Sequence, residues 1–149
     1  MKELKIARLK EGTVIDHIKS ENTFRVARIL GLENSSSMVT IGANLDSTKM
    51  GRKGLIKIEN KFLNEKEANK IALVAPEANL CIIRNSQVEK KIRLEVPDEL
   101  RGLARCINTN CVTNHEKAET RFIVESKEPL KLRCHYCERI FGKGDLEIL

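Results

Sequence analysis

Four cysteines in the last third of the chain, Cys106, Cys111, Cys134 and Cys137, follow the pattern C-x4-C-x22-C-x2-C, and no other feature restricts the fold as much. Two short turns that each present a pair of thiolates can converge on one tetrahedral ion, so the spacing predicts a structural zinc site with one Zn2+ per chain. Two other uses of the same residues are weaker. A secreted module would join them as two disulfides, but Met1-Lys2-Glu3-Leu4-Lys5 lacks the apolar segment of a signal peptide, and a reducing, cytoplasmic location is expected. A catalytic zinc needs an open position, and four thiolates fill the shell. His115 and His135 could serve as ligands, but with four cysteines available they are expected at the surface. Between the first two cysteines, Asn108 and Asn110 suit a metal-wrapping loop, because Asn tolerates left-handed backbone and folds its side chain onto local amides.

The cysteine segment is about 50 residues long, a size at which apolar burial alone is marginal and a metal commonly supplies what is missing. Phe122-Ile123-Val124 and Leu130-Lys131-Leu132 read as strands of a small sheet pinned by the ion. The break at Val96-Pro97-Asp98 places the boundary there, giving domains 1–97 and 98–149. Charge divides at the same point. Residues 1–97 carry 18 Lys/Arg against 12 Asp/Glu, whereas residues 98–149 carry nine of each. The basic part invites an anionic partner. Five aromatic residues in the whole chain offer little platform for stacking single-stranded nucleic acid, which favours a small anion. The longest apolar run, Ile71 to Pro76, is far short of the roughly 20 residues that cross a bilayer, so no membrane role is expected.

The first 97 residues alternate between strand and helix periods. Leu4 and Ile6 alternate with charged neighbours, and Thr13 to Ile18 is a β-branched strand behind Gly12. Ser20 is placed to cap a helix carrying Phe24, Val26, Ala27, Ile29 and Leu30, which Gly31 stops. Met38 to Leu45 and Leu55 to Glu59 read as strands joined by the turn-rich link 46–51, with Val39, Ile41, Ile56 and Ile58 facing one way. A second helix starts after Asn64 and ends at Pro76. Leu80 to Ile83 and Val88 to Val96 are the last strands, with Val88 and Lys91 on opposite faces of the latter. The order β-α-β-β-α-β with an extra strand predicts an α+β chain: a ferredoxin-like antiparallel sheet with two helices on one face, followed by the zinc-bound β domain.

No Gly-rich phosphate loop is present, so an anion site in the first domain must be built from side chains. Asp16, His17 and Lys57 are a polar trio among apolar neighbours, and Lys91 lies on the polar face of the final strand. They could bind a nucleotide, the carboxylate taking ribose hydroxyls and the other groups taking phosphates. Strict alternation puts Asp16 and His17 on opposite faces, so both reach one ligand only at a strand end or a bulge.

Gly12-Thr13-Val14-Ile15-Asp16-His17-Ile18, Met50-Gly51-Arg52-Lys53 through Leu55-Ile56-Lys57-Ile58-Glu59-Asn60, Ala75-Pro76, and the cysteine strings Cys106-x4-Cys111 and Cys134-x-Tyr136-Cys137-Glu138 together resemble the regulatory chains of aspartate carbamoyltransferases. The resemblance covers essentially the whole sequence. It implies a non-catalytic subunit whose N-terminal domain binds CTP or ATP, with UTP in some members. It further implies that the zinc domain docks on the catalytic chain and that regulatory chains pair as homodimers. By position it assigns Asp16 and Lys57 to the ribose, His17 and Lys91 to the phosphates, and Leu9, Ile83 and Val88 to the surroundings of the base. Cys81 and Ser86 depart from the best-known bacterial pattern, standing where an Asn assists the phosphates and a Tyr lies near the base. A zinc-ribbon nucleic-acid-binding protein is the competing reading, and it expects basic, aromatic surface around the ribbon. The zero net charge of residues 98–149, about −2 once four thiolates hold Zn2+, argues against it. An independent zinc hydrolase lacks both an open ligand position and a base near the cysteines.

Overall fold

The computed structural model describes residues 9–149, so the alternation at Leu4 and Ile6 lies outside the described residues. The chain is α+β. It runs β1 (Gly12–Lys19), α1 (Thr23–Ile29), β2 (Val39–Ser47), β3 (Gly51–Glu59), α2 (Glu65–Val74), β4 (Asn79–Arg84) and β5 (Gln87–Arg93), followed by short strands in the cysteine segment. The first five strands form one sheet in the order β2-β3-β1-β4-β5, with every neighbouring pair antiparallel. That is the ferredoxin-like order extended by β5.

One face of this sheet is apolar because alternation puts Thr13, Ile15, Ile56, Ile58, Leu80 and Ile82 on it, all buried. Val39 pairs with Ile58 and Ile41 with Ile56, as their shared orientation requires. Helix α1 lies against β2 and β3 with Val26 and Ala27 buried, and Gly31 ends it in the left-handed conformation at φ 65°. The approach of α1 to β3 depends on Gly54, where a Cβ would fall 1.8 Å from Thr23 Oγ1. Gly12 is equally constrained: its φ is 147°, and a Cβ there would meet the Ile58 carbonyl at 2.1 Å. Ser20 does not cap α1. It sits in a single 3-10 turn, and its hydroxyl donates to Asn44 Oδ1 at 2.8 Å instead.

Two other expectations change. Strands β2 and β3 run further into the link than alternation suggested, leaving only Thr48 to Met50 between them. Strand β5 stops at Arg93, and it does not alternate strictly. Ile83 pairs with Val88 whereas Cys81 pairs with Lys91, so an extra residue is inserted in β5. Since Ile83 and Cys81 share a face, Val88 and Lys91 share it too, contrary to the opposite faces expected.

The chain resolves into two compact units. One comprises residues up to Asn64 together with Glu77–Leu94; the other comprises Glu65–Pro76 and Glu95–Leu149. Helix α2 groups with the C-terminal residues, and the Lys70 ammonium donates to the Leu149 carbonyl. In the second unit β6 (Glu99–Arg101), β8 (Arg121–Lys127), β9 (Leu130–Cys134) and β10 (Ile140–Gly142) form a sheet ordered β10-β9-β8-β6, and β7 (Ala104–Arg105) pairs with β11 (Glu147–Ile148). Its apolar centre includes Leu100, Leu103, Phe122, Leu132 and Phe141, with the two aromatic rings edge to face at 6.3 Å. Among the described residues no helix is long and apolar enough to cross a membrane.

Candidate functional site

The four cysteines come together. Cys134 ends β9, Cys137 follows in the tight turn after it, and Cys106 and Cys111 bracket the loop after β7. Their sulfurs all lie within 4.8 Å of one another, with Cys106 and Cys137 at 3.7 Å and Cys111 and Cys134 at 3.8 Å. A tetrahedral ion with metal–sulfur bonds of about 2.3 Å requires sulfur–sulfur edges of about 3.8 Å. A disulfide requires about 2.0 Å, so the cysteines are free thiols arranged as a metal cage.

The loop geometry explains how the cage is held. Asn108 Oδ1 accepts from the Asn110 N–H at 3.1 Å, its carbonyl accepts from the Cys111 N–H at 2.9 Å, and Asn114 Nδ2 donates to the carbonyls of Cys106 and Asn108. The asparagines act through side-chain hydrogen bonds, and the left-handed residue expected among them is instead Glu138, at φ 62° beside Cys137. Burial pushes the Cys106 thiol up, against an opposing N–H from Asn108, and burial likewise raises Cys134. At Cys137 burial is outweighed by hydrogen bonds from Asn108 and the Arg139 backbone, which bring it down to about 7. Backbone donors aimed at sulfur, with Thr113 Oγ1 donating to Cys111 Sγ at 3.2 Å, are what a thiolate cluster around a cation needs. His115 and His135 are exposed, and His115 Nε2 contacts the Thr109 carbonyl at 2.8 Å.

On the five-stranded sheet, the face opposite the apolar one carries the polar candidates. Val14 pairs with Lys57 on one side and Cys81 on the other, and Cys81 pairs with Lys91. Residues in direct register share a face, so Lys57, Val14, Cys81 and Lys91 form one transverse row. Three strand spacings of roughly 4.8 Å separate the two lysines by about 14 Å at the backbone. Lys57 is half-buried and Lys91 exposed.

Asp16 reaches the same face by pairing with Asn79 of β4. His17 joins it because β1 bulges there: Ile15 pairs with Ile56 but Ile18 with Gly54, so one extra residue is accommodated, and His17 adopts φ 57°. The bulge satisfies the condition that alternation imposed. Asp16 Oδ1 accepts from the His17 N–H at 2.7 Å, and the Lys53 ammonium lies 2.9 Å from the same oxygen. Burial opposes ionisation of Asp16, but the hydrogen bonds from Lys53 and the His17 N–H outweigh it and hold the carboxyl below its usual range. Asn79 Nδ2 lies 2.9 Å from His17 Nδ1. Lys53 and Asn79 were missed by the sequence reading, and only the pairing of Asp16 with β4 could have pointed to Asn79.

Ile83 and Val88 lie on the side of the row away from Asp16, and Leu9 precedes the start of β1. Ile83 is buried opposite Gly12, Val88 is half-exposed, and Leu9 is half-buried. The Ser86 N–H donates to the Lys10 carbonyl at 3.0 Å and the Asn85 N–H to Glu11, which ties the chain after Leu9 to the β4–β5 turn. Ser86 occupies that turn at φ 64°. The face thus has an apolar end at Ile83 and Val88, a lysine-flanked middle, and a carboxylate–imidazole end. It suits an elongated anion with an apolar head.

Comparison with known proteins covers both units. A family model described as the aspartate carbamoyltransferase regulatory chain, allosteric domain, matches residues 4–95, and one described as the metal binding domain of the same chain matches residues 98–147. The sequence is 52% identical over 148 residues to the aspartate carbamoyltransferase regulatory chain of Pyrococcus horikoshii, covering 98% of this chain and 97% of that one. It is 50% identical over 148 residues to the chain of the same description from Pyrococcus furiosus, with the same coverage, and 47% identical over 146 residues to that from Bacteroides fragilis, covering 98% and 95%.

Proposed function

The chain belongs to the family of aspartate carbamoyltransferase regulatory chains, non-catalytic subunits with an allosteric and a metal-binding domain, and from that premise we propose how it does its work. Residues 1–97 form the effector domain and residues 98–149 the docking domain. The effector is a nucleoside triphosphate, CTP or ATP and in some conditions UTP. The observation that carries this reading is the transverse row from Lys57 to Lys91, flanked along β1 by Asp16 and His17 on the sheet face opposite the apolar one. Asp16 and Lys57 meet the ribose, His17 and Lys91 the phosphates, and Leu9, Ile83 and Val88 surround the base. A ligand that binds one state of the assembly more tightly than another shifts their populations, and couplings of this kind are usually about 1–3 kcal/mol.

The metal in this reading is zinc, which the all-thiolate set and its near-tetrahedral sulfur–sulfur edges support. Bound there, it would hold two chain segments together and supply no reactive water. Cys106, Cys111, Cys134 and Cys137 hold it, and the free thiols suit the reducing cytoplasm. The docking surface for the catalytic chain lies on the elements that the cysteines tie down, where Ile107, Val112, Tyr136 and Ile140 are exposed. A homodimer of regulatory chains is supported by exposed apolar side chains near the β2 edge, Phe24 at 63% and Met38 at 60%.

Calorimetric titration of CTP and ATP into the chain, with and without its catalytic partner, tests the effector reading. A charge-assisted hydrogen bond to phosphate is worth about 1.5–3 kcal/mol, so Lys91→Ala should weaken both nucleotides by roughly 10- to 100-fold. Equal affinities for wild type and variant would remove Lys91 from the site. Activity of the reconstituted enzyme with and without each nucleotide then decides the sign of the regulation.

A further inference from the structure

We propose that Asn79 is a positioning residue of the effector site, holding the His17 ring as its neutral Nε2–H tautomer so that the imidazole offers a bound anion an uncharged donor. The proposal rests on the effector reading above and deepens it. Asn79 Nδ2 lies 2.9 Å from His17 Nδ1. An amide nitrogen is a donor with no lone pair to give, so Nδ1 must be the acceptor and the ring proton must reside on Nε2.

Asp16 lies 3.8 Å from Nδ1, an ion-pair distance but outside hydrogen-bond reach, so it does not take the Nδ1 position from Asn79. Its oxygens are already engaged, Oδ1 by the His17 N–H and both by Lys53 at 2.9 and 3.2 Å. Lys53 on β3 thus holds the carboxylate that lies beside the ring, and Arg93 on β5 stands in register with Asn79. The main chain beneath the ring is held by the bulge, with φ 57° and the His17 N–H bound to Asp16, and the ring itself is held by Asn79. Asn79 is itself exposed on the strand that pairs with the bulge, so it can be changed without opening the core.

The test uses the full chain, with CTP and inorganic triphosphate as probes. Nitrogen-detected NMR of the histidines should show His17 protonated at Nε2 and bare at Nδ1 near pH 8. Asn79→Ala should scramble the tautomers and weaken triphosphate about three- to tenfold at pH 8, where an imidazole is ordinarily neutral, with a smaller loss near pH 6. Asn79→Asp presents an acceptor to Nδ1 and should make affinity fall more steeply than in wild type as pH rises from 6 to 8. In a His17→Ala background, Asn79→Ala should cost nothing further.

A wild-type ring protonated at Nδ1 would overturn the proposal, as would an unchanged tautomer in Asn79→Ala or an equal loss without His17. Failure of the effector reading is separate. It would appear as triphosphate binding indifferent to His17→Ala and Lys91→Ala together, while the tautomer measurement would still report on Asn79.

Discussion

Stripping the metal from the full chain should unfold residues 98–149 and leave the five-stranded sheet intact. The cage is already set for the ion: the sulfur–sulfur distances of 3.7 and 3.8 Å match the edge of a tetrahedral thiolate site, so little binding energy is lost to rearrangement. Structural zinc sites contribute about 10–16 kcal/mol near pH 7. A unit of about 50 residues ordinarily has only roughly 3–8 kcal/mol of net stability. The metal contribution exceeds the whole, so removal should leave that unit unfolded rather than weakened. The sequence provides its own reporter. Tyr136 is the one tyrosine, there is no tryptophan, and Tyr136 stands between Cys134 and Cys137 with its hydroxyl 3.3 Å from the Glu119 carbonyl. Tyrosine fluorescence therefore reads the metal turn alone. Titration with a strong chelator should change it cooperatively, while amide exchange in β1, β3 and β4 stays slow. Acid should act in the same direction. A thiol in the unfolded, metal-free segment holds its proton at neutral pH, so metal entry expels protons and affinity falls as pH is lowered. If tyrosine emission and exchange protection persist after elemental analysis shows the metal gone, the reasoning fails.

Two further outcomes concern the first unit. Asp16 titrates below its ordinary value through Lys53, so the pair adds stability that is complete above the unfolded carboxylate pKa and is lost as pH falls through the lower folded value. Urea melts should show Lys53→Met about 0–1 kcal/mol less stable than wild type at pH 7 and equal to it near pH 2. Gly54→Ala places a methyl 1.8 Å from Thr23 Oγ1 and should cost about 1–3 kcal/mol, largely recovered by Thr23→Gly in the same chain. Chemical denaturation of both variants measures it, and an undisturbed Gly54→Ala would mean that α1 does not approach β3 as described.

Much of this molecule is legible one residue at a time. The two thiolate pairs announce a metal because their short spacings confine each pair to one turn, whatever the rest of the chain does. Alternation identifies the buried face of β1, β3 and β4 because a side chain's face depends only on its own backbone. Gly31 and Pro76 stop their helices for equally local reasons. The candidate site on the opposite face is different. Asp16 and His17 share it only because β1 carries one residue more than β3 over the same length, and Val88 joins Lys91 only because β5 carries one more than β4. Lys53 and Asn79 enter through contacts across strands, Lys53 from β3 to Asp16 and Asn79 from β4 to His17. An extra residue in a ladder is settled by the partner strand. Those partners lie tens of residues away, where no local period can register them.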